Sequence, residues 1–164
     1  MIEMKASEIA AVVGGVLYGD DIVVTAPAFL NSAQCQSGSI FLAIKGENVD
    51  GHDYVADAFA HGAVLALASR EVGARSIVVS DVTLAISQLA AHVRNQLDHM
   101  TVIGITGSQG KTTTKELLAS VLASQGVTVA PKGNNNNELG VPITLLQCTR
   151  ETRYCIVEMG ARHE

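Results

Sequence analysis

Short apolar runs separated by turn residues dominate the first half of the chain, and they predict strands mixed with helices. A first helix begins at Ser7, a residue type that caps helix N-termini, and ends at Gly14. A second helix is predicted over residues 55–61. Runs rich in β-branched residues predict short strands at residues 16–18, 22–24, 39–45, 63–68 and 76–79.

The clearest helical period follows Asp81, a good capping residue. Apolar residues recur there at helical spacing, which gives the helix one buried face. These residues are Val82, Ala85, Ile86, Leu89, Val93 and Leu97.

The second half has the order of a parallel βαβ unit. Strands are predicted at 101–106, 127–130 and 154–158, with helices at 111–124 and 142–147. In the longer helix we expect the apolar residues to face inward, namely Leu117, Leu118, Val121 and Leu122.

The predicted fold class is therefore α/β, with two domains divided near residue 98. Residues 1–98 form a small mixed α/β domain, and residues 99–164 begin a parallel-sheet domain. Because that second sheet has no closing element, we expect this domain to be incomplete.

Composition narrows the functional classes. Hydrophobic residues make up 48% of the chain and charged residues 16%, as in folded globular proteins. The formal charge of -5 and the scattered basic residues argue against a nucleic-acid partner. Neither a secretory signal nor a membrane span is recognisable, so we expect a cytoplasmic protein.

The stretch Gly104–Lys115, GITGSQGKTTTK, lies between a predicted strand and a predicted helix. Backbone amides of Gly107–Gly110 and the helix dipole would form a seat for phosphate. Lys111 can reach β and γ phosphates, and the Thr112 hydroxyl can bind Mg²⁺. The strict pattern has glycine where this chain has Ile105, so a tight turn with a surface lysine is the alternative.

A phosphate loop also needs an acidic residue near the metal, usually at the end of a neighbouring strand. Glu158 ends the apolar run that begins at Tyr154. We predict that Glu158 binds Mg²⁺ directly or through water, with a purely structural carboxylate as the alternative.

Three segments resemble the Mur ligases of peptidoglycan synthesis and, within them, the MurF type: GITGSQGKTTTKELLASVL, GNNNNELGVPITLL and YCIVEMGARHE. The resemblance implies Lys111 and Glu158 as catalytic residues and Thr112 and Glu158 as metal ligands. It implies ATP as the nucleotide, with Mg²⁺. The implied nucleotide-binding residues are Gly107, Ser108, Gln109, Gly110, Lys111, Thr112, Thr113, Asn136 and Asn137.

The first half is similar to the uridine-nucleotide-binding domain of that family, through SGSIFLAIKGE and DGHD. The chain has Asn31 and Ala33 where the family usually has aspartate and arginine. The resemblance then implies that Ser32, Lys45 and His52 contact the UDP substrate.

The resemblance implies a reaction in which ATP activates the carboxylate of UDP-N-acetylmuramoyl-tripeptide as an acyl phosphate. The amino group of D-alanyl-D-alanine then displaces phosphate. Two alternatives stay open: a Mur-type ligase that adds another amino acid, against which GVPITLL argues, and a nucleotide-binding module without catalysis. We expect a monomer.

We predict that the 164-residue chain alone has no ligase activity, because an incomplete sheet would not hold the adenine and the second substrate. The measurement is phosphate release from ATP, with UDP-N-acetylmuramoyl-tripeptide present, as D-alanyl-D-alanine is added. Phosphate release that depends on the dipeptide would contradict this expectation.

Overall fold

The computed structural model describes residues 1–46, 48–131 and 139–160. Its strands are β1 (Met4–Lys5), β2 (Val16–Tyr18), β3 (Val23–Val24), β4 (Ala28–Phe29), β5 (Ser39–Leu42), β6 (Ala63–Ala68), β7 (Ser76–Val78), β8 (Thr101–Ile105), β9 (Val127–Val129) and β10 (Thr152–Glu158). Its α-helices are α1 (Ala6–Val13), α2 (Val55–Ala60), α3 (Val82–Asn95), α4 (Lys111–Ala123) and α5 (Gly140–Leu145). Short 3₁₀ helices cover Ser32–Gln34 and Gly51–Tyr54.

A five-stranded mixed sheet organises the first half, in the order β2-β7-β6-β5-β4. Strands β4 to β7 pair in parallel, whereas β2 pairs with β7 in the antiparallel sense. A separate two-stranded ribbon joins β1 to β3.

Both faces of this sheet are buried. Side chains alternate between the two faces along each strand, and each face packs against other elements. Ile40 and Leu42 of β5 pack into the core that contains α1 and α3. Phe41, between them, packs into a smaller cluster with Val55 and Ala58 of α2. The mixed α/β fold predicted from the sequence is thus confirmed.

Three parallel strands form the sheet of the second half, with β10 between β8 and β9. The parallel βαβ arrangement predicted from the sequence is confirmed. Its core continues into that of the first half, since Leu146, Cys148 and Cys155 belong to the same buried cluster as α1 and α3. All three cysteines are buried and free, which agrees with ordinary reduced thiols.

Helix α3 matches its prediction closely. The Asp81 carboxylate accepts a hydrogen bond from the Leu84 N–H at 3.0 Å, and every predicted apolar position is buried. Helix α1 differs at its start. It begins one residue before Ser7, whose N–H and hydroxyl instead donate to the Asp21 carboxylate, each at 2.8 Å.

The inward face predicted for α4 is correct for Leu118 and Leu122, which are half-buried, and wrong for Leu117 and Val121, which are each 65% exposed. Lys115 is the buried residue of this helix. The period of a sequence shows that a helix has two faces, but which face is covered depends on the elements that pack against it. Here α4 packs against β9 and β10 through the face that carries Lys115.

The domain boundary near residue 98 stays a prediction. Within the described residues, no strand pairing joins the two halves, although α3 and α5 pack against each other. None of the described helices has the length and apolar character that crossing a membrane requires.

Leu89 and Leu84 on helix α3 allow a matched test of the core. Leu89 is fully buried, whereas Leu84 is 55% exposed. We expect Leu89→Ala to lower the free energy of unfolding by about 2–5 kcal/mol and Leu84→Ala by less than about 0.5 kcal/mol. Urea denaturation measures both, and similar losses at the two positions would contradict the packing described.

Candidate functional site

The loop between β8 and α4 forms one wall of a cavity of about 240 Å³. Gly110 has φ of 76°, a left-handed conformation that favours glycine, and it caps the start of α4. The residues that line the cavity are Ser108, Gln109, Gly110, Lys111, Thr112, Thr113 and Glu158. A strand-to-helix loop of this kind can hold a phosphate group on backbone amides and the helix N-terminus.

Six of the seven predicted residues in 107–113 therefore line one cavity. Gly107 does not line it, but its carbonyl accepts a hydrogen bond from the Lys111 ammonium at 2.6 Å. This contact places the charge of Lys111 over the loop. Asn136 and Asn137, also predicted to bind nucleotide, lie outside the described residues.

Glu158 reaches this cavity from the neighbouring strand. In the parallel pairing of β10 with β8, Glu158 is level with Ile105, the residue at which β8 ends. The Met159 N–H donates to the Ile105 carbonyl at 2.9 Å and extends this alignment. Because the carboxyl ends of parallel strands share one sheet edge, the acidic side chain and the phosphate loop meet there.

The Glu158 side chain is almost completely buried, with 1% of its area exposed. Within the described part of the chain, neither carboxylate oxygen has a hydrogen-bond partner. A buried carboxylate with unused lone pairs, in a cavity that Thr112 also lines, offers a hard oxygen ligand of the kind that Mg²⁺ prefers. The residues present therefore fit a magnesium ion.

Lys115 is a residue of this site that sequence reasoning missed. Its ammonium lies 3.4 Å from Oε1 of Glu158, and its side chain is 4% exposed. The available signal was its position four residues after Lys111, which places both lysines on one face of α4.

A second cavity, of about 410 Å³, lies mostly in the first half. Its lining includes Ser32, one of the predicted substrate-binding residues. Lys45 is exposed, and its neighbours Ile44 and Gly46 line the cavity. The full lining is Leu30, Asn31, Ser32, Phe41, Ile44, Gly46, Val49, Gly51, Tyr54 and Leu139.

His52 is buried and makes its contacts within the chain. Its Nδ1 lies 2.5 Å from the Asp50 carboxylate, and its Nε2 accepts a hydrogen bond from the Ser69 N–H at 3.0 Å. The Ser69 hydroxyl lies 3.1 Å from the same Nε2. The predicted contact of His52 with substrate stays a prediction.

Ser69, His52 and Asp50 are spaced like a nucleophilic triad, but their hydrogen bonds do not suit that chemistry. The Nε2 lone pair already accepts the Ser69 backbone N–H, so it is not available to take a proton from the hydroxyl. The cluster instead fastens the loop that begins at Gly46 to the end of β6.

Three donors surround the Asp50 carboxylate. The His52 backbone N–H, the His52 ring and the Arg70 guanidinium hold the pKa of Asp50 well below its ordinary value of 3.8. The Arg70 guanidinium lies 2.9 Å from Oδ2. Each donor favours the ionised form, so the charge on Asp50 stabilises the folded loop.

The chain is similar to known proteins along its length. Residues 105–164 match the Mur ligase middle domain, and residues 29–103 match the Mur ligase family, catalytic domain. The UDP-N-acetylmuramoyl-tripeptide--D-alanyl-D-alanine ligase of Mycobacterium tuberculosis (strain ATCC 25618 / H37Rv) is 42% identical over 99% of this chain and 38% of its own length. The enzyme of the same name from Escherichia coli (strain K12) is 39% identical over 100% of this chain and 36% of its own length.

Solved structures agree with these similarities. A crystal structure of MurF from Acinetobacter baumannii superposes with a TM-score of 0.85 at 36% identity, over 99% of this chain and 37% of that one. The crystal structure of MurF ligase from Thermotoga maritima, in complex with ADP, superposes with a TM-score of 0.69 at 34% identity, over 85% of this chain and 33% of that one. The chain thus spans little more than a third of the relatives that it matches.

The Asp50 cluster generates a pH-dependent prediction. Because the folded-state pKa of Asp50 is lowered, its stabilisation is complete above the unfolded value of 3.8 and is lost as pH falls through the folded value. We expect Asp50→Asn to unfold at lower urea concentration than the unchanged chain at pH 6. The difference should shrink between about pH 4 and pH 2.

Asp53→Asn is the matched control. Asp53 also faces Arg70, at 3.7 Å, but its side chain is 72% exposed. Its replacement should change the urea midpoint at pH 6 less than Asp50→Asn does. A difference between Asp50→Asn and the unchanged chain that stays constant down to pH 2 would contradict the assignment.

Proposed function

Because the chain belongs to the Mur ligase family, we propose that it forms the UDP-substrate and phosphate-binding part of an ATP-dependent ligase. That ligase joins D-alanyl-D-alanine to UDP-N-acetylmuramoyl-tripeptide, the activity that the names of its relatives carry. The domain of residues 1–98 would bind the UDP substrate, and the domain of residues 99–164 would bind the phosphates of ATP.

The observation that carries the proposal is the meeting of three features at one sheet edge. A glycine loop, the Lys111 ammonium and the buried Glu158 carboxylate surround a single cavity. A phosphate chain needs amides and a cation, and its metal ion needs an acidic ligand. In a chain with the sequence of this family, we do not expect the three groups to line one cavity by chance.

The first task of the chain's residues is to offset negative charge. The incoming carboxylate and the γ phosphate are both anionic, so their approach is opposed by repulsion. Lys111 and the loop amides would stabilise the charge that develops on the phosphate oxygens, and Lys111 would contact the β and γ phosphates. No residue of the chain acts as a covalent nucleophile in this reaction.

Thr112 and Glu158 would hold Mg²⁺. The ion, when bound, neutralises phosphate charge and aligns the phosphates for transfer. The Thr112 hydroxyl lies in the first turn of α4 and Glu158 lies at the end of β10, so the two approach the cavity from different elements.

The cavity of about 410 Å³ would receive the UDP end of the peptide substrate. Ser32 would offer a hydroxyl there, and Lys45 a positive charge for the diphosphate at the rim. Aliphatic and aromatic side chains such as Leu30, Ile44 and Tyr54 would supply a surface for the uracil ring. Cytoplasmic location and a monomeric state complete the proposal.

Nucleotide binding by the purified 164-residue chain tests the proposal. Because the incomplete sheet is not expected to hold the adenine, titration calorimetry with Mg-ADP should show binding through the phosphates alone. Lys111→Ala should weaken this binding by about 10- to 100-fold, since the variant lacks the charge that faces the phosphates. Circular dichroism should show an unchanged fold, since among the described residues the Lys111 ammonium donates only to the Gly107 carbonyl of the loop.

Lys45→Ala provides a reciprocal control with a second ligand. It should leave Mg-ADP binding unchanged and weaken binding of UDP-N-acetylmuramoyl-tripeptide. Lys111→Ala should weaken Mg-ADP binding and leave binding of UDP-N-acetylmuramoyl-tripeptide unchanged. Equal affinity of Lys111→Ala and the unchanged chain for Mg-ADP would refute the phosphate site.

A further inference from the structure

Lys115 occupies a buried position, and lysine is rare at such positions in proteins. It is 3% exposed, whereas long charged side chains are almost never fully buried unless they are paired. It projects from the face of α4 that packs against the sheet, and the apolar Leu117 on the same helix is exposed. The position thus holds a charge where hydrophobic packing would favour an apolar side chain.

Two lysines lie on one face of α4 and make different contacts. Lys111 and Lys115 are four residues apart, so their Cα atoms are about 6 Å apart along the helix axis. Lys111 donates to the loop carbonyl of Gly107, at the cavity wall. Lys115 lies about one turn further along the helix and approaches Glu158.

The Glu158 carboxylate has Lys115 as its neighbouring cation. Neither of its oxygens has a hydrogen-bond partner within the described residues. The ammonium-to-oxygen distance of 3.4 Å exceeds the roughly 2.8 Å of a charge-assisted hydrogen bond. Lys115 therefore attracts the carboxylate electrostatically without occupying its lone pairs, which leaves those lone pairs for a metal ion.

We propose that Lys115 is a positioning residue that compensates the buried negative charge of Glu158 and aims its carboxylate at the Mg²⁺ of the nucleotide. This inference rests on the proposed function, because it assigns Glu158 to the metal. It adds a role for a residue that touches neither nucleotide nor metal. Groups that orient metal ligands typically contribute 10- to 100-fold to metal affinity.

The measurement is the factor by which Mg²⁺ tightens ADP binding, obtained by calorimetry of the 164-residue chain with and without the ion. In Lys115→Met this factor should fall about tenfold, while the affinity for ADP without Mg²⁺ stays the same. Lys115→Arg, which keeps the charge, should retain most of the factor. If Lys115→Met does not fold, Lys115→Gln, which is polar and uncharged, replaces it.

Glu158→Gln provides the second arm of the test. It should abolish most of the Mg²⁺ factor, and adding Lys115→Met to it should cause no further loss, because the lysine acts through the carboxylate. In thermal melts without ligand, Lys115→Met should lower the Tm by roughly 6–12 °C, because it leaves a buried carboxylate without its cation. The double variant should have a higher Tm than Lys115→Met alone.

The possible outcomes separate the two proposals. A lower Tm with an unchanged Mg²⁺ factor in Lys115→Met would identify a merely structural ion pair and overturn the positioning role, while nucleotide binding itself stands. Additive losses in the double variant would also overturn it. No ADP binding by the unchanged chain, with or without Mg²⁺, would overturn the proposed function and the positioning role together.

Discussion

A carboxylate buried at the end of a strand is the constraint on which the second half of the molecule depends. Glu158 lies at the carboxyl end of the central strand β10, level with the end of β8. Burying this charge is costly unless a cation lies nearby. Lys115 supplies that cation from α4, so the helix must pack with a polar side chain inward, and its first turn then places Lys111 and the glycine loop over the same sheet edge.

A comparable arrangement of charges fixes a loop in the first half. Asp50 accepts hydrogen bonds from His52 and Arg70, and His52 in turn accepts one from the Ser69 backbone. These contacts fasten the segment that follows β5 to the end of β6, beside the cavity of about 410 Å³. Both candidate sites therefore rely on charged groups that hold the surrounding backbone in place.

Much of the fold followed from sequence because local signals agreed with tertiary structure. The apolar runs of β5 and β6 and the helical period of α3 are strong signals, and the phosphate loop carries its own motif. Other features depended on contacts that local pattern does not contain. Ser7 was predicted as a cap, but a distant carboxylate, Asp21, attracts its hydroxyl. Local pattern makes Lys115 a surface residue, because it does not show that β10 brings Glu158 to it. For the same reason Leu117 and Val121 were wrongly expected to face inward, whereas Leu118 and Leu122 are half-buried.

The two halves share one hydrophobic core, which bears on how the candidate sites could work together. Leu146 and Cys155 from the second half are fully buried in the cluster that contains α3, so separating the halves would expose them to water. Leu139, which precedes α5, also lines the first-half cavity. Under the proposed function, a substrate held at its UDP end must bring its far carboxylate to the phosphate cavity with accurate geometry. Apolar packing between α3 and α5 would then fix the orientation of the two candidate sites relative to each other.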